Sequence, residues 1–157
     1  MTPATQGQVV LLVDGDTVRR NERGFGLESN HGYRVLAAGS VREARNILGT
    51  TPEVAAVLTQ ATLPDHDAVA LLQRIAKAGM AGPVVLVLAE ADEHGLRRLA
   101  WSEHATAVLS EPVDDSELGA ALKAVLGIRG NRLDALAARA ELAQGLDHLT
   151  DLLVLVL

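Results

Sequence analysis

The sequence predicts a three-layer α/β sandwich with a five-stranded parallel sheet and an added C-terminal helix. Three observations carry that prediction. Five short aliphatic runs recur along the chain, each followed by a segment with helical spacing. Three of those runs are unbroken apolar stretches, as expected of strands covered by helices on both faces. Strict alternation of strand and helix then implies parallel strands joined by right-handed crossovers.

The first run is VVLLV at 9–13, where β-branched valine favours a strand over a buried helix. A first helix is expected over 18–31. It contains Gly24 and Gly26, each costing ~1 kcal/mol relative to alanine, so a bent or frayed helix is predicted. RVLA at 34–37 is a weaker strand nearer the sheet edge. Ser40 then stands three residues before Glu43, the spacing of a capping box, and Val41, Ala44, Ile47 and Leu48 share one helical face.

VAAVL at 54–58 is the third strand. Asp67 can cap a third helix whose apolar positions are Val69, Leu71, Leu72 and Ile75 and which stops near Gly79. VVLVL at 84–88 is the fourth strand. Asp92 or Glu93 opens a fourth helix, with Leu96, Leu99 and Ala100 inward. AVL at 107–109 is a short fifth strand near the other edge. Pro112 and Asp114-Asp115-Ser116 introduce a fifth helix, with Leu118, Leu122, Val125 and Leu126 inward and Gly127 ending it.

Beyond Gly127 the character changes. Residues 128–131 read as a linker and 132–157 as a further helix, so the expected division is a domain at 8–127 and a C-terminal helix. Leu142, Leu146, Leu149, Leu153 and Val156 are spaced four and three apart in turn, the seam of a two-stranded coiled coil. An amphipathic helix folded back on its own domain fits the same spacing. The terminal LLVLVL implies cover by another subunit, or a chain cut from a longer protein.

Composition limits the function classes. The 157 residues are 48% hydrophobic but 2% aromatic, with no cysteine. That excludes disulfide scaffolds and thiol nucleophiles, and it leaves no platform for stacking bases. Fourteen basic against twenty acidic side chains give a net charge of -6, which repels nucleic acid on average. No basic n-region followed by an apolar h-region opens the chain, and no run reaches the ~20 residues of a membrane span. A cytoplasmic location is expected.

In such sheets the working loops lie at the carboxyl ends of the strands, here 14–17, 60–66, 89–91 and 110–112. His31, His66, His94, His104 and His148 sit on separate elements without metal-ligand spacing. Phosphate-cradling glycine motifs and a nucleophile elbow are absent. Gly24-Phe25-Gly26 is a fragment inside a helix.

At those loops the sequence resembles the receiver domain of two-component response regulators. The resemblance covers about residues 8–127 and rests on LLVDGD at 11–16, GYRVLAAGSVREA at 32–44, LPDHDAVALLQRI at 63–75, PVVLVLAEAD at 83–92 and EPVDDSEL at 111–118. It implies a flavodoxin-like strand order 2-1-3-4-5. It also implies a pocket in which an acidic pair holds Mg²⁺, an aspartate after the third strand takes a phosphoryl group, and a hydroxyl residue and a lysine contact the phosphate. Phosphoryl transfer depends on such positioning and charge neutralisation.

Carried onto this chain, the acidic pair falls on Asp14 and Gly15, with Asp16 next. The acceptor position falls on Gln60, the hydroxyl position on Leu88 before Ala89, and the lysine position on Glu111 before Pro112. Val108 stands near the place of a usual aromatic. An amide forms no acyl phosphate, a leucine donates no hydrogen bond, and Glu111 repels phosphate oxygens. With Asp14, Asp16, Glu90 and Glu111 around it and no lysine, the pocket is expected to be net negative.

The leading expectation is therefore a degenerate receiver, a pseudoreceiver, with no catalytic residues and no cofactor. It would act in bacterial two-component signalling by binding another protein or by dimerising. The resemblance points to helix four, strand five and helix five as the interface, with Arg97, Arg98, Trp101, Glu103, Asp114, Asp115, Glu117 and Lys123. Trp101 reads either as an anchor there or as a cover on the core edge. Two other classes stand beside this: a displaced acceptor at Asp65 or Asp67, where Asp67 also fits a structural cap, and a cation or small-ligand site on Asp14, Asp16 and Glu111.

Overall fold

The computed structural model describes residues 7–156, and side chains through residue 147. Its elements are β1 (Val9–Val13), α1 (Thr17–His31), β2 (Arg34–Ala38), α2 (Val41–Thr50), β3 (Val54–Gln60), α3 (Val69–Ala76), β4 (Val84–Ala89), α4 (His94–Ser102), β5 (Ala107–Ser110) and α5 (Asp115–Val156). The five strands form one parallel sheet in the order β2-β1-β3-β4-β5. The predicted α/β sandwich, its strand order and its C-terminal helix are all present.

The three unbroken apolar runs became the three inner strands, each buried along its full length. Their side chains alternate between two cores. Val9, Leu11, Val13, Val85 and Val87 pack with α2, α3 and α4 on one face. Val10, Leu12, Leu86 and Leu88 pack on the other, with Leu27 of α1 and Leu118 and Leu122 of α5. The two weaker runs are the edges β2 and β5, which have one neighbour each and are only partly buried.

The caps follow the local chemistry. Ser40 Oγ accepts from the Glu43 amide at 3.1 Å, while Glu43 Oε2 accepts from the Gly39 amide at 2.8 Å. Asp114 Oδ1 accepts from the Glu117 amide at 2.7 Å, and the Asp114 amide donates back to Glu117. Asp67 accepts from the amide of Val69, the first residue of α3.

Three expectations are corrected. Helix α1 is continuous from Thr17 to His31 across both glycines, with Gly26 buried against α5. A Cβ at residue 26 would collide with Asp115 Oδ1. Leu99, expected inward, is 41% exposed on the outer side of α4. Residues 128–131 are not a linker: they lie inside the 42-residue helix α5. Neither Gly127 nor Gly130 has a positive φ, so no left-handed cap ends the helix. Leu133 and Leu136 continue it as half-buried residues, and α5 packs on the 3₁₀ turn Gly79–Ala81.

Candidate functional site

The carboxyl ends of β1, β3 and β5 bring Asp14, Gln60 and Glu111 to one edge of the sheet. Gln60 is the last residue of β3, in register with Leu88 of β4, rather than the first residue of a loop. Asp14 is fully buried, Gln60 is 5% exposed, and the Glu111 side chain is 7% exposed. Buried carboxylates need partners, and this site supplies them internally.

Two arginines of α1 enter the pocket. Arg19 grips Asp14 with both prongs, Nε to Oδ2 at 2.6 Å and Nη2 to Oδ1 at 2.8 Å. The Asp16 amide also donates to Asp14 Oδ1 at 2.9 Å. Arg23 Nη2 donates to both oxygens of Glu111, at 2.7 and 2.9 Å, and its Nη1 lies 3.8 Å from Asp14. Gln60 Nε2 donates to Glu111 Oε1 at 3.0 Å, and the Val113 amide to Oε2 at 3.1 Å. Arg20 closes the turn by donating to the Asp14 carbonyl at 2.7 Å.

The expected negative charge of Asp14, Asp16, Glu90 and Glu111 is therefore offset in part. The pocket's two buried carboxylates, Asp14 and Glu111, are balanced by two guanidinium groups. Burial pushes the Glu111 carboxyl up. The hydrogen bonds from Gln60 and Arg23 and the charges of Arg23 and Arg19 outweigh that and hold it below its ordinary 4.5. The Asp14 hydrogen bond is the main reason the Arg19 guanidinium is held more firmly protonated than usual.

The signal for these arginines was available. They stand four apart, on one face of the first helix, a turn beyond Asp14. What sequence could not supply was the direction of that face.

The remaining positions fall as follows. Leu88 and Ala89 are buried, on opposite faces of β4. Gly15 is exposed, but a Cβ there would approach the Pro64 ring to 2.8 Å, so the missing acid has no space. Asp16 caps α1 by accepting from the Arg19 amide at 3.1 Å. Glu111 and Pro112 share a cis peptide bond.

Mg²⁺ does not fit this donor set. Both Asp14 oxygens are occupied by donors and the neighbouring acid is absent. Among the described residues no three acidic or imidazole groups gather to hold a metal ion, and Asp14, Asp16 and Glu111 do not converge as an open site. Asp65 and Asp67 are also engaged. Asp65 accepts from the amides of Val41 and Arg42 at 2.9 and 3.0 Å, at the start of α2. Desolvation raises its carboxyl, and those amides more than offset it, holding the group below 3.8.

Of the interface candidates, Arg98, Trp101 and Lys123 are exposed, as are Leu142 and Leu146 on α5. Arg97 is half-buried and donates to the Glu90 carbonyl. Asp115 faces α1, where it meets Asn30 and His31. The side chains of Leu149 and Leu153 lie outside the described residues.

No protein-family model matches the sequence, and no curated protein matches it. Solved structures do. The signal receiver domain of an HD domain-containing protein from Pseudomonas fluorescens is 29% identical, with a TM-score of 0.71 over 80% of this chain and 99% of that one. A response regulator receiver domain protein from Clostridium thermocellum is 24% identical, with a TM-score of 0.69 over 82% of this chain and 98% of that one. The beryllofluoride-activated NtrC4 receiver domain dimer is 20% identical, with a TM-score of 0.69 over 78% of this chain and 98% of that one. The chain has the receiver-domain fold of two-component systems.

Proposed function

We propose that this chain is a pseudoreceiver: a receiver-fold module that takes no phosphoryl group and works in bacterial two-component signalling through protein contacts. One observation carries the reading. Arg19, Asp14, Arg23, Glu111 and Gln60 form a charge-balanced network where the resemblance calls for an acceptor and a cation, with only Arg23 Nη1 left buried without a hydrogen bond. Glu111 accepts four hydrogen bonds, so an entering phosphate would find its place taken and repulsion from the carboxylate behind it. Asp65 accepts from the Val41 and Arg42 amides and Asp67 from the Val69 amide, which counts against a displaced acceptor.

The contacts are assigned to α4, β5 and α5. Trp101 is 54% exposed there beside Arg98, and a large exposed aromatic is a common interface anchor. Helix α5 runs for 42 residues, roughly 60 Å at the usual rise, longer than the sheet it covers. Leu142, 66% exposed, begins its apolar seam, which supports pairing with a second copy or a connection to another signalling domain. The NtrC4 receiver domain is itself a dimer. The net charge of -6 gives nucleic acid no footing. A cytoplasmic place belongs to the same proposal.

Incubation of the protein with acetyl phosphate and Mg²⁺, followed by intact mass measurement, tests the reading. An unchanged mass is expected. A phosphate-sized adduct overturns it.

A further inference from the structure

On the sheet face opposite α1 and α5, three cations border one cleft. Arg45 of α2 and Arg74 and Lys77 at the end of α3 line a hollow of about 420 Å³ together with Gln73. All four are exposed. None of the three cations is in an ion pair among the described residues, whereas Arg19 and Arg23 are committed to carboxylates. Unpaired cations on adjacent helices make this rim locally positive, a potential that an anionic partner would relieve.

Arg74 also borders a second cleft, of about 260 Å³, at the amino end of the strands. Its walls are mostly aliphatic, including Leu48, Val54, Ile75, Ala78 and Pro83. A cationic rim thus joins an apolar hollow with Arg74 between them. It lies at the opposite end of the sheet from Asp14 and Glu111, and it includes neither Trp101 nor the α5 seam.

We propose that this α2–α3 groove docks an acidic protein segment carrying an aliphatic anchor. Carboxylates would lie against Arg45, Arg74 and Lys77, and a leucine-like side chain would enter the hollow beside Leu48 and Ile75. Arginine's fork matches a carboxylate, and the apolar walls match an aliphatic side chain rather than a sugar. Nucleic acid fits poorly: no aromatic residue lines either cleft to stack a base.

Titration of the isotopically labelled full chain with a soluble peptide of glutamate and leucine, read by amide shifts, tests this. Saturable shifts at Arg45, Leu48, Arg74 and Ala78, weakened by salt, are expected. The double variant Arg45→Glu/Arg74→Glu should weaken binding by up to about tenfold, since each exposed charge pair contributes only a few-fold. All-glutamate and lysine–leucine peptides should bind at least tenfold more weakly. Equal binding by the double variant, equal binding of the all-glutamate peptide, or a preference for an oligonucleotide overturns the proposal. Circular dichroism confirms that the variant folds. The acetyl phosphate result is independent of this outcome.

Discussion

Arg23 Nη2 lies 2.7 Å from one oxygen of Glu111 and 2.9 Å from the other, although 88 residues separate them. Both side chains are largely shielded, at 13% and 7% exposure. The negative charge that burial at the end of β5 would otherwise leave unbalanced is met by a cation from α1. Removing one partner of such a pair leaves a buried charge and costs about 3–5 kcal/mol, more than the pair itself contributes. Arg23→Met should therefore destabilise the fold by that order in urea denaturation. Adding Glu111→Gln should recover part of the loss, because the stranded charge is gone. A loss near the ~0–1 kcal/mol of a solvated surface pair would show that water screens the Arg23–Glu111 pair.

The same pair predicts a pH response. The Glu111 carboxyl is held below 4.5 in the folded chain, so folding favours its ionised form. That contribution is complete above the unfolded value and is lost as pH falls through the lower folded value. Asp65, held below 3.8, acts with the same sign. Wild-type stability should fall more steeply than that of Glu111→Gln as pH drops below 4.5, measured by denaturation midpoints. Parallel curves would remove Glu111 from the account.

Restoring the acidic pair should fail. In Gly15→Asp the new Cβ would press on the Pro64 ring, and a ring cannot swing aside as a flexible side chain does. Thermal unfolding should show a loss of about 1–3 kcal/mol, typical of overpacking. Added Mg²⁺ should give no compensating rise in Tm. A rise would mean that Asp14 releases Arg19 to take the metal.

Helices α1 and α5 interlock through two glycine notches. Asp115 sits against Gly26, and the His31 ring sits against Gly119, where a Cβ would collide with it. His31 Nε2 also lies 3.0 Å from Asp115 Oδ2. Gly119→Ala should lower Tm despite alanine's better helix propensity, while Gly127→Ala, with open space around it, should raise it. If both variants stabilise the protein, the notch at Gly119 is not tight.

Sedimentation velocity of residues 1–157 beside a chain ending at Gly127 addresses the long helix. Self-association of the longer chain alone is expected, and Leu142→Glu should abolish it. Two monomers over the same concentration range would remove α5 as the pairing element.

The sequence alone determined the layers and the order of elements. Strand burial and helix amphipathicity are local patterns, readable from VVLLV, VAAVL and VVLVL and from the Ser40–Glu43 box. It also placed Gln60, Leu88 and Glu111 at the carboxyl ends of the strands. Only the tertiary structure decided what surrounds them. A helix wheel places Arg19 and Arg23 on a common face, but the packing of α1 against the sheet and α5 aims that face at Asp14 and Glu111. The fate of residues 128–131 was decided in the same way. Glycine propensity favoured a break, and contacts of α5 with the turn Gly79–Ala81 accompany a continuous helix. Local preferences are worth tenths of a kcal/mol to ~1 kcal/mol, whereas buried charge and packing are worth several, so long-range contacts prevail where the two conflict.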